Sequence, residues 1–334
     1  MKYLVTGASG YIGSHLIKKM SEKGMSTRAL VRRTSNTKGL SELKNIEICY
    51  GNVRDISSLE KAVKGCDMVF HLAACVEDWG AYRTFYEVNY LGTKNILHAS
   101  IEAKVNKFIY ISSVGVLDLS KRGVIYEDHP YGHFSGYYCR SKAKAEKLIR
   151  KSSDLISTLI IRAPAVYGPE DLLFTWKALY LARKHLLFVI DRGKGIFPYI
   201  YIDNLVEAIL LASHKEMAAG EIFNLADGTN TTVGEFFNHF NHLVGKGNIR
   251  LSLPYPIAWK LALLLDIFNK LTGKPPLLSW TALEFLTLRC HFDVSKAKKA
   301  LGYEPSVSLK EGMARVKAWW EEEIKKRGQK RNRN

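Results

Sequence analysis

Residues 1–24, MKYLVTGASGYIGSHLIKKMSEKG, decide how the rest of the chain is read. Lys2–Thr6 is a short apolar run with no helical period, which predicts a buried strand, and the amphipathic run at 11–23 predicts the helix that follows. Three glycines lie between them. In a phosphate-cradling turn Gly7 permits the tight bend, Gly10 lets the backbone approach a pyrophosphate, and Gly13 lets the helix pack closely on the strand. The anion then rests on the exposed amides of the helix N-terminus. Gly-x-x-Gly-x-x-Gly alone also occurs as a plain glycine turn. A strand that starts at residue 2 and feeds straight into it is the context a dinucleotide site requires.

The alternation continues outward. Short apolar runs at 27–32, 46–50, 68–72, 108–112 and 157–162 predict further strands, with helical patterns at 57–63, 82–103 and 137–152 between them. Strands alternating with helices imply an α/β fold of the Rossmann type, a doubly wound parallel sheet whose ligand crevice lies beyond the carboxyl ends of the strands. The second strand bears on the cofactor. Sites for NAD carry an acid about 20 residues after the glycine turn to bond the ribose 2′-hydroxyl, and sites for NADP accommodate a 2′-phosphate with arginine. This strand ends Leu30-Val31-Arg32-Arg33, with no acid before Glu42, so Arg32 is expected to face a 2′-phosphate. NADP(H) is the expected cofactor, with NAD(H) as the alternative in which both arginines are solvated surface groups.

Two later pieces carry chemistry. Ser112-Ser113 closes the fifth strand, and Tyr138-Cys139-Arg140-Ser141-Lys142 opens the next long helix, with Tyr138 and Lys142 one turn apart on a shared face. A phenol titrates near pH 10, and a lysine cation one turn away is expected to lower that by favouring the phenolate. Ser113 at the facing strand end can hydrogen-bond a substrate oxygen or the phenol. His71, in His71-Leu72-Ala73-Ala74, reads as a packed strand histidine, and the small residues after it let backbone meet a cofactor.

Composition narrows the class. At 334 residues and 47% hydrophobic, the chain can bury one large core or two smaller ones. Cys49, Cys66, Cys75, Cys139 and Cys290 are scattered and lack Cys-x-x-Cys spacing, so neither a disulfide framework nor a metal site is expected. No run of 18 apolar residues is present, and the chain begins on a strand rather than on a leader pattern, so a cytoplasmic location is expected. The net charge of +17 is dispersed except in the tail Lys325-Lys326-Arg327-Gly328-Gln329-Lys330-Arg331-Asn332-Arg333. With no helix-turn-helix, zinc or RNP-like pattern, residues 326–334 read as a solvated, unstructured tail, and no nucleic-acid partner is expected.

The assembled motifs resemble those of the extended short-chain dehydrogenase/reductases, the NAD(P)-dependent epimerase/dehydratase group. They are TGASGYIG at 6–13, HLAA at 71–74, NYLGT at 89–93, SS at 112–113, YCRSK at 138–142, IRAPAVYGP at 161–169, YIDNLVEAI at 201–209 and FNLADG at 223–228, and the resemblance runs from Lys2 to about Trp320. It implies hydride transfer, with Tyr138 as general acid/base, Lys142 tuning it and binding ribose, and Ser113 polarising a substrate carbonyl. It also implies cofactor contacts at Gly7, Ser9, Gly10, Tyr11, Ile12, Gly13, Arg32, Asn52, Val53, Leu72, Ala73, Ala74, Asn89, Ala163 and Pro164, and a homodimer through the helices at 82–103 and 137–152. Asn52 stands where the group usually has an acid, and its usual Arg-Pro pair is split as Arg162-Ala163-Pro164.

Residues 1–168 are thus expected to form the dinucleotide-binding domain, and 169–325 a smaller mixed α/β substrate lobe, some of whose segments return to the first domain. Helices are predicted at 172–184, 203–214, 233–244, 255–271 and 309–325, strands at 186–190, 221–225 and 249–251, turns at Gly193-Lys194-Gly195 and Gly245-Lys246-Gly247, and a break at 275–276. The apolar helix at 256–271 reads as core of the small lobe; the alternative is a lip of a lipid-sized pocket or a face resting on a membrane. This helix and the segment 291–313 resemble 3β-hydroxysteroid dehydrogenase-like members. Three functions follow in order: a reductase or dehydrogenase acting on a hydroxyl or ketone of a hydrophobic small molecule of sterol, polyketide or 3-oxoacyl type; a nucleotide-sugar epimerase or reductase; and an NADP-sensing protein without turnover. Apolar pocket walls from the 256–271 helix would favour the first, and a pair of arginines placed for a diphosphate, Arg289 foremost, the second.

Overall fold

In a computed structural model, residues 1–77, 79–120, 122–132, 136–217, 219–228, 230–273 and 276–331 are described. Of the expected break at 275–276, residue 275 lies outside them.

The chain opens β1 (Lys2–Thr6), α1 (Tyr11–Glu22), β2 (Ser26–Val31), β3 (Ile46–Tyr50), α2 (Ile56–Val63) and β4 (Met68–His71). It continues through α3 (Tyr82–Phe85), a π-helical turn (Tyr86–Leu91), α4 (Gly92–Glu102), β5 (Lys107–Ser113), β6 (Gly123–Ile125), α5 (Tyr137–Lys151) and β7 (Ser157–Ala163). After these come β8 (Ala165–Tyr167), α6 (Thr175–Arg183), β9 (Val189–Ile190), β10 (Tyr199–Tyr201), α7 (Ile202–His214), β11 (Glu221–Asn224), α8 (Val233–Leu243) and β12 (Ser252–Leu253). The last elements are α9 (Tyr255–Thr272), α10 (Trp280–Leu286), β13 (Cys290–Phe292), α11 (Ser295–Leu301) and α12 (Leu309–Arg331).

Seven parallel strands form one sheet in the order β11-β7-β5-β4-β1-β2-β3. Order reverses between β4 and β1, which opens a crevice beyond their carboxyl ends. The period-2 alternation of strand side chains divides the core. Val5, Ile109, Ile111 and Ile161 pack with α1 and α7, while Leu4, Phe108, Tyr110 and Ile160 pack with α2, α4 and α5. The sheet's outermost strand, β11, comes from far beyond residue 168, so the dinucleotide-binding layer is closed by a returning segment.

Three small parallel pairs, β8 with β10, β9 with β12 and β6 with β13, tie the second half together. Asp227, after β11, ties together β10, α7 and the segment after α11: its half-buried carboxylate accepts from the Tyr201 amide (2.6 Å), Asn204 Nδ2 (2.8 Å) and the Tyr303 hydroxyl (2.6 Å), and burial pushes it up to about 6.

The helix expected at 82–103 runs on through α3, the π turn and α4, the π turn placing Asn89 in the interior. Three expectations are corrected. The strand expected at 249–251 lies at Ser252–Leu253, where it can pair with β9. Of the tail expected to be unstructured, residues 326–331 continue α12. Glu322–Lys326 (3.6 Å) and Glu323–Arg327 (3.4 Å) pairs support that turn, and Arg327 lies 3.9 Å over the Trp176 ring; residues 332–334 fall outside the described ones. Last, α9 is no core helix: among its described side chains only Ala258 and Ala262 are buried.

Candidate functional site

The glycine turn has the shape of an anion cradle. Gly7 sits at φ 70°, and a β-carbon on it would lie 2.8 Å from the Ala73 nitrogen, so the turn and the Leu72–Ala74 segment meet backbone to backbone. A β-carbon on Gly13 would collide with the Gly7 carbonyl. The Gly10 amide donates to that carbonyl (2.9 Å), and the first helical bond of α1 is Ser14 N to Gly10 O (2.8 Å). The amides of Tyr11, Ile12 and Gly13 are therefore left at an open helix end, with no side-chain cap and no acid in the first turn. These residues fit a pyrophosphate. Ser9 is exposed at the lip. Tyr11 lends only its backbone, since its buried hydroxyl is turned in toward Gly168.

Around the cradle, Arg32 follows the last residue of β2 and is exposed, while Arg33 lies 5.7 Å over the Tyr50 ring. Asn52 Oδ1 accepts the Arg54 amide (3.1 Å), and Asn95 Nδ2 holds the Val53 carbonyl (3.0 Å). Asn89 is spent on positioning. Its Oδ1 accepts the Cys75 amide (2.7 Å), and its Nδ2 donates to the Cys75 carbonyl (3.0 Å) and to Ser141 Oγ (2.9 Å). It is 1% exposed, and its side chain clamps the loop after β4 to α5.

His71 is locked in the sheet. Thr93 Oγ1 gives its one proton to the Asn89 carbonyl (2.6 Å), so it must accept from His71 Nε2 (2.9 Å). Nδ1 is then the acceptor, taking the Thr6 hydroxyl proton (2.7 Å) while Thr6 Oγ1 accepts the Ala73 amide (3.2 Å). Burial pushes the imidazole down to about 3, so it stays neutral. It is a strut, as its strand position implies.

Ser113, Tyr138 and Lys142 converge beside the crevice. Ser113 caps a short 3-10 turn, its Oγ accepting the Gly115 amide (3.1 Å), and it pairs in register with Ala163, next to Pro164. Burial pushes the half-buried Tyr138 phenol well up, and a hydrogen bond with Ser113 opposes that shift. Lys142 is buried, donates to the Ile111 carbonyl (2.5 Å) and lies 4.0 Å over the Tyr110 ring. Burial takes it down to about 7, against the pull of Glu146. The expected lowering of the phenol is therefore not what this arrangement gives: the lysine faces the strand rather than the phenol, and desolvation dominates both groups.

Behind the three lies a network that the motif reading missed. Arg162 and Glu146, 1% and 0% exposed in their side chains, form an ion pair (Nη2–Oε1 2.6 Å). Glu146 also accepts from Ser112 Oγ (2.6 Å) and the Tyr131 hydroxyl (3.0 Å), and Arg162 donates to the Glu127 carbonyl (2.8 Å). The signals were present: an arginine in the apolar strand STLIIRA, and a glutamate one turn beyond Lys142 on the same face.

A cavity of about 990 Å³ adjoins the site, lined near Ser113 and Tyr138 by Gly115 and Cys139. Its apolar wall includes Leu117, Phe285, Leu286 and Leu288, and α9 contributes only Tyr255, so α10 takes the part expected of the 256–271 helix. The exposed Arg122, Lys194 and Arg289 add cations and Asp118, Asp191 and Glu284 acids. Arg122 and Arg289 are neighbours across the β6–β13 pair, where the Gly123 amide meets the Arg289 carbonyl (3.3 Å). Among the described residues no cluster of metal-ligating side chains occurs.

Comparison with known proteins agrees with this geometry. Residues 3–226 match the family described as NAD dependent epimerase/dehydratase. The chain is 31% identical over 325 residues to a sterol-4-alpha-carboxylate 3-dehydrogenase, decarboxylating, from Dictyostelium discoideum, covering 92% of this chain and 98% of that one. It is 26% identical over 333 residues to a 2-alkyl-3-oxoalkanoate reductase from Stenotrophomonas maltophilia, covering 95% and 99%. A UDP-glucuronic acid 4-epimerase from Bacillus cereus, solved in complex with NAD, shares the fold with a TM-score of 0.75 at 23% identity, covering 96% of each chain. With the cradle, the crevice at the strand reversal and matches over nearly its whole length, the chain belongs to the NAD dependent epimerase/dehydratase family of extended short-chain dehydrogenase/reductases, whose members are NAD(P)-dependent enzymes.

Proposed function

We propose that this chain is an NADP(H)-preferring oxidoreductase that interconverts a hydroxyl and a ketone on a hydrophobic substrate bearing a carboxylate. The observation that carries the reading is the cavity beside Ser113 and Tyr138, apolar at Leu117, Phe285, Leu286 and Leu288, whose Arg122, Lys194 and Arg289 offer cations to a carboxylate beside the acids Asp118, Asp191 and Glu284. The names of both curated relatives put a carboxylate β to the oxygen-bearing carbon, which such a lining suits.

When bound, the dinucleotide supplies or accepts the hydride. Gly10 and the open amides of α1 would hold its pyrophosphate, and Arg32 its 2′-phosphate. Ser113 hydrogen-bonds the substrate oxygen, and Tyr138 Oη donates or takes the proton there. Lys142, one turn on, holds the nicotinamide ribose, and the Glu146–Arg162 pair fixes the helix face that carries both. A cytoplasmic location and a homodimer through the outer faces of α3, α4 and α5 complete the reading. That face is rich in cation–π contacts suited to an interface: Arg140 lies 5.2 Å over Tyr82, and Lys144 5.2 Å over Tyr86.

Titration by nicotinamide fluorescence tests the cofactor reading. NADPH is expected to bind at least about tenfold tighter than NADH, about 1.4 kcal/mol, and Arg32→Ser to erase that preference without weakening NADH. Equal binding of the two by the wild-type chain would make Arg32 a surface residue. The second reading, a nucleotide-sugar epimerase, draws on Arg122 and Arg289, neighbours across the β6–β13 pair and both on the cavity lining, a cation pair suited to a diphosphate. Turnover of hydrophobic 3-oxo acids with NADPH supports the first reading, and interconversion of UDP-sugars with NAD the second.

A further inference from the structure

Helix α9, YPIAWKLALLLDIFNKLT, turns its small residues inward and its large ones out. Ala258 and Ala262 pack with Ile190, Leu278 and Leu283. On the open side Ile257 is 55% exposed, Leu264 64%, Phe268 54% and Leu271 81%, and these four recur at helical spacing along one face. Ile267 widens the stripe, at 48% exposure, while Trp259 lies on the other side against the Trp280 ring (5.7 Å). A helix apolar on nearly every side is ordinarily buried, and a contiguous exposed patch of this kind marks an interaction surface.

The surroundings say what covers it. The Asp191 carboxylate accepts the Tyr255 amide (2.9 Å), which seats the exposed Arg192 at the start of the helix, and the Arg192 amide is tied to Ser252 (2.8 Å). Arg250 and Lys260 are exposed nearby, and Asp266, the only acid on α9, is half-buried. An apolar stripe with a cationic rim, on a chain of net charge +17, complements an anionic lipid surface. Among the described residues no helix is long and apolar enough to cross a membrane, so the geometry is that of a helix lying in the interface.

We propose that α9 docks this protein onto an anionic bilayer, its Ile257–Leu264–Phe268–Leu271 face entering the boundary between headgroups and acyl chains. Tyr255, in its first turn, lies on the opposite side of the helix from that face and lines the cavity, so the docking face and the cavity are separate surfaces and the docking does not rest on the reading above.

Flotation of the full chain with phosphatidylcholine vesicles, with and without phosphatidylglycerol, tests it. Binding is expected to be at least about tenfold tighter with the anionic lipid and to weaken as salt rises. Leu264→Glu/Phe268→Glu is expected to reduce it at least about thirtyfold, with the melting temperature and NADPH affinity unchanged. Lack of flotation by the wild type, or equal flotation by the double variant, overturns the proposal. So does a wild-type oligomer, seen by light scattering, that the double variant dissolves while neither form binds vesicles, because a second copy of the chain is then the cover. Because these readouts need no substrate, failure of the proposed reaction would leave them standing.

Discussion

Lys142→Met is expected to abolish most of the activity and yet raise the melting temperature. The native ammonium sits at about 7 against 10.5 in the unfolded chain, because burial penalises its charge. Below pH 7 both states bind the proton and the native state carries the whole penalty, at most about 5 kcal/mol. Between pH 7 and 10.5 the unfolded chain holds a proton the native chain has released, so stability rises with pH across that window. The variant has no charge to bury. Its melting temperature should exceed wild type by about 5 °C at pH 6, the advantage shrinking as pH approaches 10. Activity should fall about 10²- to 10³-fold. Tyr138→Phe should lose at least as much, with NADPH affinity kept within about twofold, since only a proton-transferring oxygen is removed. Thermal melts over pH and single-turnover reduction check both. A Lys142→Met chain less stable than wild type at pH 6 would mean that the lysine is a structural tie, and catalysis surviving in Tyr138→Phe would remove the phenol from the proposed chemistry.

Much of this was legible in the chain because it follows from local rules. The glycine turn is dictated by steric need at Gly7 and Gly13, and the parallel sheet by the recurrence of short apolar runs between helices. The convergence of Ser113 with Tyr138 and Lys142 followed from one strand end and one helical turn. What escaped depends on long-range pairing. The strand at 221–225 and the return of later segments to the first domain were expected, but its place at the sheet edge beside β7, 58 residues on from Ala163 to Glu221, was not legible, and the strands of β6 and β13, three residues each, carry too little period to be seen. Asn89 was read from its motif as a cofactor contact; that the π turn also makes it a clamp on Cys75 and Ser141 was not legible. Helix α9 misled for a different reason. Its composition is that of a core helix, and only the alanines at 258 and 262 show which side faces in. Lys142 misled too, since the expected effect of its charge on Tyr138 assumed a solvated lysine.

Arg162→Met is expected to be the most destabilising single change at the site. It leaves the Glu146 carboxylate, 0% exposed, with hydrogen bonds from Ser112 and Tyr131 but without its directly paired guanidinium. Stranding one partner of such a pair costs about 3–5 kcal/mol, or about 4–7 °C in melting temperature for a chain of this size. Glu146→Gln strands Arg162 instead, with the Glu127 carbonyl as a remaining acceptor. The double variant Glu146→Gln/Arg162→Met removes both charges and should recover at least half of the loss, which a thermal double-mutant cycle would read directly. The pair should also act on chemistry through Lys142. Glu146 holds that ammonium up against burial, so Glu146→Gln should let it fall below 7. If Lys142 works as the cation, the alkaline limb of kcat against pH must then move to lower pH. A buried strut with no other role would change stability alone and leave the pH profile where it was, so the two measurements together separate a pair that merely holds α5 to the sheet from one that keeps its lysine charged.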